Sequence, residues 1–143
     1  MAKKLGNDYR LWIESTVAGT FNEIKGQTAL KINRQSSSID TSTKDDFPYG
    51  TSGSGLKSLT IDFEIYPNLP DANGYTRFET LSQGSANTNF QIRKNGSTGA
   101  TGDVVFAASM TIGSLDTDYP KNDVVKASGQ LNLAAPPTID TLS

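Results

Sequence analysis

The sequence predicts a mostly β protein: an antiparallel β-sandwich or half-barrel with one flanking α-helix and one long loop. Three observations predict it. Seven or so segments alternate apolar and polar residues with a period of two. One segment alone has apolar residues every three positions. The order of elements never alternates strand, helix, strand, as a parallel sheet would require.

Tyr9–Val17 is the first strand, with Tyr9, Leu11, Ile13 and Val17 on one face and Arg10, Trp12 and Glu14 on the other. Ala18-Gly19 turns, Phe21–Ile24 forms a short strand, and Lys25-Gly26 turns again. Thr28–Asn33 follows with Leu30 and Ile32 inward. Arg34–Lys57 has no core pattern and reads as a loop, in which Ser38–Thr43 pairs only where it finds an edge. Asp45-Asp46, Pro48 and three glycines argue against further regular structure there.

Ser58–Tyr66 alternates cleanly, with Leu59, Ile61, Phe63 and Ile65 opposite Ser58, Thr60, Asp62 and Glu64. Pro70 and Gly74 punctuate the next turn. Tyr75, Phe78 and Leu81 then mark a helix over Tyr75–Gln83, with Gly84 at the C-cap position. Thr88–Lys94 is a strand, and Asn95-Gly96 opens a loop tip through Gly102. Asp103–Leu115 is a long strand, Asp116–Asp123 turns, and Asp123–Leu133 is the last strand. The proline-broken segment 134–143 is an extended arm. Without an internal repeat or linker, residues 1–143 form one domain.

Composition narrows the chemistry. The chain has 143 residues, 35% hydrophobic and 20% charged, with a net charge of −2. It holds no cysteine and no histidine. That removes thiolate nucleophiles, every Ser-His or Cys-His pair and the commonest metal ligand. The expectation is no enzyme, no cofactor and no metal site. The acidic balance gives no global basic footprint for nucleic acid. No run approaches membrane-spanning length and the start, MAKKLGNDYR, has no hydrophobic signal region. The expectation is a soluble protein with no membrane insertion.

Several segments imitate sites. Gly50–Ser58 nearly spells a phosphate-binding loop, but its lysine falls one place late and the segment enters a strand rather than a helix. Asp62 and Glu64 lie about 6.6 Å apart along one strand face, at ~3.3 Å per residue, which is within the range of a glycosidase pair. No aromatic platform accompanies them, so a solvated face or a channel wall is the better reading. Asp116, Asp118 and Asp123 resemble a calcium cluster, but Pro120 and the missing glycine and glutamate break the pattern. Asn95-Gly96-Ser97 fits a glycosylation sequon and is better explained as a turn. Trp12 stands on the polar face of its strand, so it belongs either beneath the helix or in a subunit contact.

GTFNEIKGQTALKINRQSSSIDTSTKDD resembles the N-terminal half of the major tail proteins of long-tailed phages, the tail tube proteins, and related gene transfer agent subunits. The resemblance lies in Gly19, Ile24, Gly26-Gln27, Ile39–Asp45 and the following GSGLKSLTIDFEI. FAASMTIGSLDTDYPKNDVVKASGQL resembles the paired strands that end such proteins. The Phe47-Pro48-Tyr49 patch departs from the less aromatic run expected there.

The resemblance implies a structural virion protein that assembles into hexameric rings. The rings stack into a tube through which double-stranded DNA passes without sequence-specific binding. It implies a virion tail assembled in the host cytoplasm, with tape-measure, tail terminator and distal tail proteins as partners. Thr60, Asp62, Glu64, Ser109, Thr111, Ser128 and Gln130 are then expected to face the lumen, because a neutral or acidic wall does not hold DNA. Arg93 and Lys126 fit that wall only if they pair with carboxylates or point elsewhere. Ser38, Ile39, Asp40, Lys44, Asp45, Asp46, Phe47 and Tyr49 are expected in the inter-ring loop. Other ring-forming subunits of the same fold, in tails or secretion tubes, are the second reading. A carbohydrate-binding β-sandwich is the third.

Overall fold

The computed structural model describes residues 3–46, 49, 50 and 52–142. Its strands are β1 (Arg10–Glu14), β2 (Phe21–Glu23), β3 (Gln27–Asp40), β4 (Ser52–Ile65), β5 (Thr88–Arg93), β6 (Val104–Asp118), β7 (Lys126–Leu133) and β8 (Ile139–Asp140). The helix α1 spans Tyr75–Ser82. All eight strands join in one antiparallel sheet, ordered β2-β1-β5-β6-β7-β4-β3, with β8 on β6.

Strand β6 belongs to both halves of the sheet. Its first part pairs with β5 up to Met110, and its second part pairs with β7 from Met110 to Asp118. The sheet curls at this shared strand. Leu11, Ile13, Phe90, Ile92 and Phe106 of one half therefore meet Ile61, Phe63, Ile65 and Leu131 of the other in one core. Phe78 of α1 fills the space between them. Its ring stands edge-on to Phe63 at 5.0 Å and to Phe90 at 5.9 Å. Each such pair adds about 0.5–1.5 kcal/mol beyond its buried area.

The seam between β1 and β3 is closed by a side chain. The Gln27 amide donates to the carbonyls of Leu11 at 2.8 Å and Ile24 at 2.6 Å, and its oxygen accepts from the Leu11 N–H at 2.9 Å. It acts as an extra peptide unit in the ladder. Gly26 makes the preceding corner at φ +87, and a Cβ there would overlap the Tyr66 carbonyl oxygen. Asp71 holds the same corner from the helix side, accepting from the N–H groups of Lys25 and Tyr75 at 3.1 Å each.

Several expectations need correction, and β1 ends at Glu14 and β7 begins at Lys126, inside their expected bounds. The stretch 34–57 is not mainly a loop, since β3 continues to Asp40 and β4 begins at Ser52. No core lies beneath these residues, so their sequence carries no apolar alternation, and strand-to-strand pairing alone makes them regular. Strand β6 runs to Asp118, three residues beyond its expected end, because β7 continues to pair with it. Gly84 does not end α1 in a left-handed turn; its N–H donates to the Leu81 carbonyl in a final 310-type turn. The Asn95-Gly96 turn is as expected, with φ 69 and 59 at the two residues. The C-terminal segment lies along β6, where the N–H groups of Thr138 and Thr141 donate to the carbonyls of Ala107 and Val105.

Gly26→Ala is expected to destabilise the fold by more than about 2 kcal/mol, through forbidden φ and backbone overlap. Gln27→Ala leaves the buried Leu11 N–H without its acceptor and is expected to cost about 1–3 kcal/mol. Urea unfolding monitored by circular dichroism measures both, and an unchanged midpoint for either contradicts the role given to this corner.

Candidate functional site

The half-sheet β6-β7-β4-β3 has one apolar face on the core and one polar face away from it. Cross-strand register places the polar face in rows. Thr111, Asn132, Thr60 and Asn33 form one row; Ser114, Gln130, Asp62 and Lys31 form the next; Asp116, Ser128, Glu64 and Ala29 form the third. Six of the seven residues expected to face a lumen therefore share this face: Thr60, Asp62, Glu64, Thr111, Ser128 and Gln130. Ser109 lies at its margin, on the part of β6 paired with Asn89 of β5. None of the seven is buried.

Asp62 is held at the centre of the face. Its carboxylate accepts from the side-chain amides of Asn33 at 2.6 Å and Gln130 at 3.1 Å. Both donors are neutral, so the charge of Asp62 is not cancelled. Asp62, Glu64, Asp116 and Asp118 stand against Lys31 and Lys126 on this face, which leaves it acidic. Lys126 is engaged by Asp123 at 3.7 Å and lies over the Tyr66 ring at 5.9 Å. Among the described residues, Asp116, Asp118 and Asp123 do not form a group that could hold a metal ion. Lys31, Asn33, Ser114 and Asn132 went unassigned in the sequence, and Asp116 and Asp118 were read as part of a turn. The alternation of Ala29, Lys31 and Asn33 was a usable signal, whereas a bulge at Gly113 hides the phase of the end of β6.

The second feature is an arm. Beyond Thr60, β4 pairs only with β3, so the β3–β4 hairpin leaves the body as a two-stranded ribbon. At ~3.3 Å per residue it projects about 20 Å. Bidentate pairing between Arg34 and Asp140 fastens its base to the C-terminal segment and raises the Arg34 pKa. Ser38, Ile39 and Asp40 end β3, and Lys44, Asp45 and Asp46 form a 310 turn. Ile39, Tyr49 and Leu56 are 54%, 82% and 88% exposed. Phe47 and Pro48 lie outside the described residues. The Gly50–Ser58 stretch runs into β4, so it has no helix N-terminus for a phosphate.

Trp12 does not lie beneath the helix. It lies opposite Gln91, on the face away from Phe90 and the helix, and is 8% exposed within the single chain. The Arg93 guanidinium covers it at 4.5 Å from the ring centroid, with Phe21 5.6 Å away on the same cation. Arg93 donates to Gln91 Oε1 at 3.0 Å and the Gly99 carbonyl at 3.4 Å. Burial lowers its pKa, with Asp103 opposing that shift. Arg93 thus points away from the acidic face, and Trp12 is not available as an aromatic platform for a sugar. Among the described residues, no helix is long and apolar enough to cross a membrane.

Trp12→Ala is expected to lower the stability of the isolated chain by about 3–5 kcal/mol. A thermal or urea melt of the monomer unchanged by this substitution would return Trp12 to a subunit contact.

The family described as phage tail tube protein matches residues 5–139. Similar folds occur in the tail of an empty gene transfer agent particle refined with C6 symmetry, with 16% identity and a TM-score of 0.81, covering 97% of this chain and 100% of that one. The SPP1 tail tube is similar at 15% identity and a TM-score of 0.73, covering 96% and 81%. A chain of the anti-feeding prophage baseplate is similar at 10% identity and a TM-score of 0.64, covering 99% of each. No curated protein matches the sequence at a significant level. With a match over nearly its whole length, the chain belongs to the phage tail tube protein family, and its role is structural rather than enzymatic.

Proposed function

We propose that copies of this chain close into hexameric rings, that the rings stack through the β3–β4 arm, and that the resulting tail tube conducts double-stranded DNA with its acidic sheet face toward the lumen. The projecting arm carries the reading. An isolated two-stranded ribbon is at best marginally stable in water. This one also exposes Ile39, Tyr49 and Leu56 with nothing of its own chain to cover them. A neighbouring ring supplies the missing surface. The gene transfer agent tail of similar fold was refined with C6 symmetry, which supports the ring number.

The sheet face suits passage rather than binding. Clustered lysines and arginines would retain DNA through counterion release. Here the carboxylates outnumber the lysines, and the central one is fixed by two amides. A stack of identical rings ends in one unmatched row of arms and one unmatched receiving surface. Terminator and distal tail proteins are the partners that such ends need. A tape-measure protein sets the length, and assembly precedes release of the virion, in the host cytoplasm.

Deletion of residues 36–55 tests the reading, because the base of the arm, with Arg34 and the β4–β7 pairing, remains. The expected product is a folded chain by circular dichroism that forms rings but no tubes in negative-stain micrographs. Tubes of normal length from the shortened chain would contradict the connector role.

A further inference from the structure

Two edges of the half-sheet β6-β7-β4-β3 carry unpaired backbone groups and opposite charge. Among the described residues, no strand lies on β3 away from β4, and none lies on β6 beyond Met110 on its β5 side. Each strand of the half-sheet is antiparallel to the next, so β6 and β4 run the same way. The β6 of a second copy laid against β3 is then antiparallel to it. Pairing continues around a cyclic array without any reversal.

The charges at these edges are unspent. On the polar face, β3 presents Lys31, whereas β6 presents Asp116 and Asp118. Asp62, directly across from Lys31, is already engaged by the amides of Asn33 and Gln130. None of Lys31, Asp116 and Asp118 takes part in an ion pair among the described residues. Lys31 shares its row with Ser114. With the rows continued across the contact, Asp116 of the neighbour is the diagonal partner of Lys31, at roughly 7–8 Å between backbones and within reach of a long side chain.

We propose that Lys31 of one copy pairs with Asp116 of the next and that this pair restricts the registers open to the ring contact to those that bring the two together. The proposal rests on the ring reading above. A slip of one residue would turn the apolar residues of an edge toward the polar face, which burial already forbids. A slip of two residues keeps the faces; in one direction it leaves Lys31 beside no acid, and in the other it sets Asp116 directly opposite Lys31. Charge therefore discriminates where burial does not.

The test is a charge exchange read by ring formation in analytical ultracentrifugation and electron microscopy, with circular dichroism to verify folding. Lys31→Glu and Asp116→Lys, each alone, are expected to raise the concentration needed for rings by about tenfold or more, because each places like charges together. The double variant is expected to restore assembly. Lys31→Glu combined with Asp118→Lys is expected to leave it impaired. Assembly of Lys31→Glu at the unmodified concentration overturns the proposal, as does rescue by Asp118→Lys in place of Asp116→Lys. An unmodified chain that stays monomeric overturns the ring reading itself, and this pairing with it.

Discussion

A sheet of this length can bury its apolar face only by folding back on itself, and the contact that fixes the fold-back is the amide of Gln27. It joins β1 to the start of β3 by three hydrogen bonds and supplies the acceptor of the Leu11 N–H, whose carbonyl also accepts from the Ile24 N–H. The corner before it needs a glycine at φ +87, and Asp71 pins that corner to the first turn of α1. From this seam the rest follows. The two halves face each other, Phe78 fills the gap between Phe63 and Phe90, and the polar face of the β6-β7-β4-β3 half is turned outward as a continuous surface.

The same strands serve two solvents. In β4, Ile61, Phe63 and Ile65 are buried while Asp62 and Glu64 remain partly exposed. Alternation with a period of two separates the core face from the acidic face within a single chain segment. In the proposed tube the carboxylates would repel DNA rather than bind it. The donors to Asp62 are neutral amides, which leave its charge in place.

Much of this was legible in the sequence because burial writes a pattern. Leu59 to Ile65 and Tyr75 to Leu81 announced their periods, and both are found where the pattern placed them. Gly26-Gln27 was visible as part of a family resemblance, but not as the seam, since a side chain that substitutes for a peptide leaves no periodic trace. The arm was misread for the converse reason. Ser36–Asp40 and Ser52–Lys57 are strand without a core, so nothing in their composition marks them as regular. Trp12 was conspicuous, yet its cover is Arg93, far away in sequence and of a type seldom buried. Lys31 was overlooked, and Asp116 was taken for a turn residue, because an edge charge gains meaning only once the free edges are known.

The central claim is that the polar face of β6-β7-β4-β3 lines a channel made by side-by-side copies. Helical reconstruction of assembled tubes at side-chain resolution tests it most directly. The account predicts Asp62 and Glu64 on the inner wall, β3 of each copy alongside β6 of the next, and the hairpin arm seated on the adjacent ring. Tubes with Asp62 and Glu64 on the outer surface, or buried between subunits, would contradict it.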